Sequence, residues 1–273
     1  FQGTADAVRK NIIHLNLQGD EDILILSGDH LYDMDYREFA AFHRKTGADF
    51  TLSVLPIPER ETREFGILQV GRDGRILKFK EKPRRKAELK GFEYRGAARA
   101  AGTQYLASMG VYIFKISALL KALDNNDADF GKEVIPNSIK TLRSYGFAFH
   151  GYWQDVGTIQ SFYDVNMEMA ASEPQFSFFY EGSVFTRPRF LPSARVIGSK
   201  LKHCLISEGC VIDDSEIRHT IVGLRSIIGK RCRITRSVLM GADFYERDKA
   251  AKPVKLGIGD GTVIDKAIVD KNA

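Results

Sequence analysis

The sequence predicts an α/β domain built on a mixed sheet, followed by a parallel β-helix, and three observations predict it. From residue 22 to about 174, β-rich apolar runs alternate with helical patterns. Beyond about residue 185 the texture changes, and aliphatic residues recur every five or six positions. The chain has 273 residues, 44% of them apolar, which is enough for more than one core. The expected boundaries are 1–174 for the first domain, 175–184 for a linker and 185–273 for the β-helix.

The first domain can be read element by element. Ile23-Leu24-Ile25-Leu26 is a continuous apolar run ending at Ser27-Gly28-Asp29, the pattern of a strand buried on both faces. Asp29 then stands at that strand's carboxyl end, where ligands of open α/β sheets bind. The next helix is expected to start at Asp35 as N-cap, to bury Phe39 and Phe42, and to stop at Gly47. Residues 67–70 and 75–79 flank Gly71-Arg72-Asp73-Gly74, a turn signal that predicts a hairpin. Glu81-Lys82-Pro83 follows its second strand directly. Residues 84–105 are basic, rich in Gly and Ala and aperiodic, so they read as a surface loop before a strand over 109–114. Thr158 is placed to cap a helix that buries Ile159, Phe162, Tyr163 and Met167.

In the second domain the recurring residues are Val196, Leu201, Ile206, Val211, Ile217, Val222, Ile228, Ile234 and Val238, then Ile258, Val263 and Ile268. A helix of period 3.6 cannot hold these on one face, whereas a parallel β-helix stacks them as successive short faces of a prism. Residues 240–256 read as a loop thrown out of the coil.

Composition excludes little but directs the search. The balance of 40 Lys and Arg against 35 Asp and Glu gives a net charge of +5, which suits anionic substrates or effectors and equally an ordinary soluble protein. No apolar run approaches the roughly 18 residues of a membrane helix, and Phe1 opens no signal-peptide pattern. No membrane or nucleic-acid partner is expected. Cys204, Cys210 and Cys232 are odd in number, lack C-x-x-C spacing and read as small buried hydrophobes in a reducing compartment.

Several short motifs carry chemistry. The Lys82 ammonium can act as a point charge on a phosphate, and Glu81 can accept hydrogen bonds from hydroxyls; the bland alternative is a solvated charge run with Lys78, Lys80, Arg84, Arg85 and Lys86. Pro83 argues for a fixed turn there. Asp29 and Asp155 supply carboxylates for a divalent metal, or else cap the turn and the helix that follow them.

The ordered set Gly3-Thr4-Ala5-Asp6, Gly28-Asp29-His30, Glu81-Lys82-Pro83, Ser108-Met109-Gly110 and Trp153-Gln154-Asp155-Val156-Gly157-Thr158 resembles the sugar-phosphate nucleotidyltransferases. The stretches FQGTADAV, ILILSGDHLY, ASMGVYIF, DFGKEVIP and VLMGADFYE are similar to the ADP-glucose pyrophosphorylases of cyanobacterial and plant type. The resemblance implies a Rossmann-like nucleotidyltransferase domain, a left-handed β-helix, and conversion of ATP and glucose 1-phosphate to ADP-glucose and pyrophosphate for glycogen or starch synthesis. It implies that Asp29 and Asp155 hold Mg²⁺, that Lys82 and Glu81 place the sugar phosphate, and that Gly66 and Ser108 contact the sugar. Gln2, Gly3 and Thr4 match the family's nucleobase loop. Phe1 falls where some bacterial relatives carry a tyrosine near the sugar phosphate, so a contact through that hydroxyl is lost. Lys271 matches a position that contacts a phosphorylated effector; the alternative is an exposed lysine at the end of a coil. A homotetramer is implied, in the bacterial cytoplasm or in a plastid.

Family members open with a strand and a glycine-rich, basic loop that grips the triphosphate, and nothing of the kind precedes Phe1. The chain is therefore read as a fragment, expected to be close to inactive alone. Asp129-Phe130-Gly131 spells a kinase triplet without its companion motifs, and Gly257, Gly259 and Gly261 open no amphipathic helix. The six histidines lack zinc spacing, and His30 reads as a neighbour supporting Asp29. Other readings stay open: a nucleotidyltransferase for another base or sugar, a regulatory subunit without catalysis, or an acyltransferase built on the β-helix.

Overall fold

The computed structural model describes residues 2–17, 19–94, 104–178, 186–246 and 255–273. Phe1, part of the basic loop and part of the expected linker lie outside the described residues. The chain forms two compact units, one of Phe1–Gly28 and Asp33–Trp153, the other of Asp29–Tyr32 and Gln154–Ala273.

In chain order the elements up to residue 155 are α1 (Thr4–Asn11), β1 (Asp22–Ile25), β2 (His30–Tyr32), α2 (Tyr36–Thr46), β3 (Phe50–Ile57), β4 (Gly66–Val70), β5 (Ile76–Glu81), β6 (Tyr105–Lys115), α3 (Ile116–Leu123), α4 (Ile135–Ser138), β7 (Ser144–Ala148) and β8 (Trp153–Asp155). The first unit is a mixed sheet of order β5-β4-β6-β3-β7, with β1 also pairing β6. β3 and β7 run parallel, while β6 is antiparallel to β1, β3 and β4. Phe50, Leu52, Phe114, Leu119, Val134 and Ile135 form the centre of its core, where Phe50 and Phe114 stack at 4.8 Å between centroids.

Local chemistry explains the elements. Asp35 caps α2 by accepting from the Arg37 amide, and Gly47 ends it in the left-handed region at φ 61°, where glycine carries no steric penalty. Phe39 is fully buried. Phe42, expected beside it, is only half-buried, and the second buried position of α2 is His43. The hairpin forms as β4 and β5, antiparallel.

β1 corrects its expectation. Instead of a strand buried on both faces, it pairs only with β6 among the described strands, antiparallel, and Leu24 is 39% exposed. Ile23 and Ile25 pack on the core while Leu24 turns away from it, because an edge strand with one layer behind it buries alternate residues.

In the second unit β2 pairs β8, and α5 (Ile159–Met169) follows, its N-cap Thr158 accepting from the Ser161 amide. Val165 is its buried residue, with Phe162, Tyr163 and Met167 half-buried. Ile159, expected to be buried, is 81% exposed, because it lies at the helix's first position, past the buried stripe. The coil then runs through β9 (Arg195–Ile197), β10 (Lys200–Ile206), β11 (Val211–Asp213), β12 (Glu216–Val222), β13 (Ile227–Ile228), β14 (Arg233–Thr235), β15 (Val238–Leu239), β16 (Val263–Asp265) and β17 (Ile268–Val269). Every pairing among these strands is parallel.

Ile212, Ile217, Val222, Ile228, Ile234 and Leu239 stack as its interior. Four expected positions, Val211, Val238, Val263 and Ile268, lie one residue from the interior row, which takes Ile212, Leu239, Ile264 and Val269 instead. Ile212 and Ile264 face inward, whereas Val211 is half-buried and Val263 is 71% exposed, since adjacent residues of a short strand point to opposite faces. Gly198, His203, Gly209, Asp214, His219, Arg225, Arg231 and Arg236 hold positive φ of 40° to 76° at five- to six-residue intervals, marking the corners of the prism.

Candidate active site

In the second unit the acidic pair is built by β2 and β8. The Val156 amide donates to the Asp29 carbonyl at 3.0 Å, which brings the two segments together although 126 positions separate the carboxylates. Gly157 donates its amide to Asp155 Oδ1 at 2.8 Å. A β-carbon on Gly157 would lie 2.9 Å from Asp155 Oδ1 and 3.5 Å from Asp29 Oδ2. Both carboxylates therefore converge on a cradle that a side chain would fill. The imidazole of His30, nearly buried, sits with Nε2 at 3.5 Å from Asp29 Oδ1.

The first unit places Glu81 at the end of β5. Its carboxylate occupies the space of two missing side chains: a β-carbon on Gly66 would lie 2.8 Å from Oε2, and one on Gly131 2.9 Å from the same atom. Burial pushes the Glu81 carboxyl above the usual carboxylate range, opposed by Lys82 and reinforced by Asp129. Lys82 is exposed, donates its amide to the Phe65 carbonyl at 3.1 Å, and holds φ at 40°. A non-glycine residue in that region carries strain of about 1 kcal/mol or more and persists where its surroundings over-determine it. Pro83 next to it is buried, so the backbone of the turn is fixed.

Ser108 lies at a register shift where β6 bulges against Leu52 and Val54 of β3, and Gly110 takes φ 67° there. Its hydroxyl accepts from the Gly110 amide at 3.2 Å and hydrogen-bonds Tyr112, whose hydroxyl is held neutral by burial. Bulges of this kind re-aim side chains next to active sites.

Gly3 and Thr4 open α1. No side chain fits at Gly3, because its β-carbon would collide with the Ala128 carbonyl, which accepts from the Ala5 amide at 2.9 Å. The Thr4 hydroxyl accepts from the Phe130 amide at 3.0 Å, and Gln2 donates its amide to Asp6 at 2.9 Å.

Sequence reasoning gave no packing role to Phe130, Tyr112 or Trp153. Phe130 stacks on Tyr112 at 5.4 Å and opens a π-helical turn, Phe130–Val134, a geometry concentrated at functional sites. Trp153 packs edge-on against Phe65 at 5.1 Å. The DFGKEVIP stretch carried the signal, but its partners lie in distant sequence. Lys271, far down the coil, pairs with Asp243 at 3.0 Å, so an anion bound there would have to compete with that carboxylate. Phe1 falls outside the described residues.

Two family models match the chain. One described as Nucleotidyl transferase covers residues 1–172, and one described as GLGC left-handed parallel beta-helix domain covers residues 189–273.

Proposed function

The chain belongs to the nucleotidyl transferase family, and on that footing we propose that it is a glucose-1-phosphate adenylyltransferase, making ADP-glucose and pyrophosphate from ATP and glucose 1-phosphate. The observation that carries the proposal is the convergence of Asp29 and Asp155 on the bare α-carbon of Gly157. The choice of adenine and glucose is supported by the GLGC β-helix match together with the FQGTADAV and VLMGADFYE stretches.

In the reaction an oxygen of the sugar phosphate attacks the α-phosphorus of ATP. The new P–O bond forms as the bond to the β-phosphate oxygen breaks, and pyrophosphate leaves with the electron pair. An anion must approach an anion, so charge stabilisation dominates the barrier. The Lys82 ammonium offsets the sugar phosphate, and the Glu81 carboxylate accepts from sugar hydroxyls, fixing the attacking oxygen. Gln2, Gly3 and Thr4 hold the base.

The acidic pair fits Mg²⁺, which takes one or two carboxylates and completes its shell with phosphate oxygens and water. Bound between Asp29 and Asp155, Mg²⁺ would supply charge neutralisation at the phosphoryl oxygens.

The test is pyrophosphate release with glucose 1-phosphate and each nucleoside triphosphate in turn. ATP is expected to lead in kcat/KM by roughly tenfold or more. A lead for UTP or GTP overturns the adenylyl assignment, and failure of calorimetry to detect binding of any nucleoside triphosphate or of glucose 1-phosphate favours the regulatory subunit.

A further inference from the structure

Three residues of one segment touch both halves of the first unit's candidate site. On one side, the Ala128 carbonyl accepts from the Ala5 amide at 2.9 Å and the Asp6 amide at 3.4 Å, and the Phe130 amide donates to the Thr4 hydroxyl at 3.0 Å. On the other side, Gly131 meets the Glu81 carboxylate, with a β-carbon there 2.9 Å from Oε2, 3.1 Å from Cδ and 3.3 Å from Oε1. The segment is itself stiff. Glu133 accepts from the Ala128 and Asp129 amides at 2.7 and 3.1 Å, Asp129 accepts from the Lys132 amide at 2.9 Å, and Phe130 is buried against Tyr112. A shift of the Gln2–Thr4 arm cannot be absorbed without moving the backbone that walls in Glu81.

We propose that residues 128–131 couple the two substrate positions, with Thr4 and Gly131 as positioning residues, so that nucleotide bound at the arm strengthens sugar-phosphate binding at Glu81. This rests on the adenylyltransferase reading, in which the arm takes the base and Glu81 the sugar. The coupling is a free energy shared by two sites and is reciprocal. Gly131 is not required by its backbone angle, which is not in the left-handed region. Its bareness is required by the carboxylate it faces. A methyl there pushes the Glu81 carboxylate off its seat, whatever the nucleotide does. Loss of the Thr4 hydroxyl leaves the Phe130 amide without its acceptor and removes the one side-chain link between the arm and the segment given above, leaving the backbone bonds to the Ala128 carbonyl.

The experiment is calorimetric titration of glucose 1-phosphate into the protein with Mg²⁺, with and without a saturating non-hydrolysable α,β-methylene ATP analogue. The ratio of the two affinities is the coupling factor, and it divides out any direct loss of either ligand. We expect a factor of roughly fivefold or more in the unaltered protein, falling toward one in Thr4→Val and in Gly131→Ala. Thr4→Ser, which keeps the acceptor oxygen, retains it. A factor that persists in both variants, or equals one in the unaltered protein while both ligands bind, overturns the coupling and leaves the adenylyltransferase reading intact. Failure of the unaltered protein to bind either ligand sinks both. A variant that does not fold is replaced by Glu133→Met, which removes the acceptor of the Ala128 and Asp129 amides from outside the site and is expected to lower the factor; an unchanged factor there counts against the coupling.

Discussion

The amide of Val156 donates to the carbonyl of Asp29 at 3.0 Å, and beside the β2–β8 pairing that bond holds two segments remote in sequence so that their carboxylates face a common point. Asp29 is 60% exposed at its side chain, so replacing it leaves the fold intact. Asp29→Asn and Asp155→Asn are expected to lower kcat/KM by roughly two to four orders of magnitude, the scale of a lost metal contact. Thermal stability should change by less than about 1 kcal/mol. Steady-state kinetics beside a melting curve checks both halves of the statement.

Gly157→Ala separates the cradle from its walls. The methyl would begin 2.9 Å from Asp155 Oδ1, so the carboxylates must part while keeping their charge. The Mg²⁺ concentration for half-maximal activity should rise several-fold, with kcat at saturating Mg²⁺ less affected. A metal titration of activity reads this directly, and an unchanged half-activation point would count against the pair as the metal site.

Lys82 holds φ at 40° before a buried proline. Lys82→Gly relieves the backbone strain but adds unfolded-state entropy, and the two terms nearly cancel at about 1 kcal/mol each. Stability should therefore stay within about 0.5 kcal/mol, while the KM for glucose 1-phosphate rises about 10- to 100-fold, as for the loss of one charge-assisted hydrogen bond. A KM that stays put would reduce Lys82 to a solvated charge.

Glu81 makes the pH prediction. Burial, the largest cause, raises its native pKa above the unfolded value, against the pull of Lys82. Between the two values the native state binds the proton and the unfolded state does not, so stability falls as pH rises through the native pKa and is greatest below the unfolded one. In the proposed reaction, in contrast, the sugar needs the carboxylate as an acceptor. Affinity for glucose 1-phosphate should rise with pH across that same window, above the ordinary carboxylate range, and Glu81→Gln should flatten both profiles while weakening the sugar. Melting and binding curves over a pH series test the opposed slopes.

In the β-helix, Ile217 is fully buried and Val263 is 71% exposed. Ile217→Ala should cost about 2–5 kcal/mol, as a buried truncation does, whereas Val263→Thr should lie within about 0.5 kcal/mol. Chemical denaturation of both variants checks the inward register.

These contrasts show what was legible in the sequence. Asp35, Gly47, Thr158 and the glycine-flanked turn at 71–74 act through their own neighbours, so helix caps and the hairpin could be read from local chemistry. The five-to-six-residue period announced the coil. Which of Val263 and Ile264 faces inward depends on a one-residue phase that an aliphatic pair does not reveal. Leu24 and Ile159 were misread because four apolar residues, or a helical stripe, do not say how many layers cover them. The acidic pair and Glu81-Lys82 were singled out from motif order, and the structure brings Asp29 and Asp155 together; the seat of Glu81 was not legible. Gly66 and Gly131 supply it by lacking side chains, and a contact such as Phe130 with Thr4 spans 126 residues.

The chain passes between its two units more than once, because Asp29–Tyr32 belongs with Gln154–Ala273. A genetic exchange that replaces everything after Trp153 would bring a new Asp155 to an old Asp29, and the two would have to fit at once. The second unit thus includes one short upstream strand, which pairs β8, and grafting residues 154–273 onto a foreign first domain should succeed only when residues 29–32 travel with them.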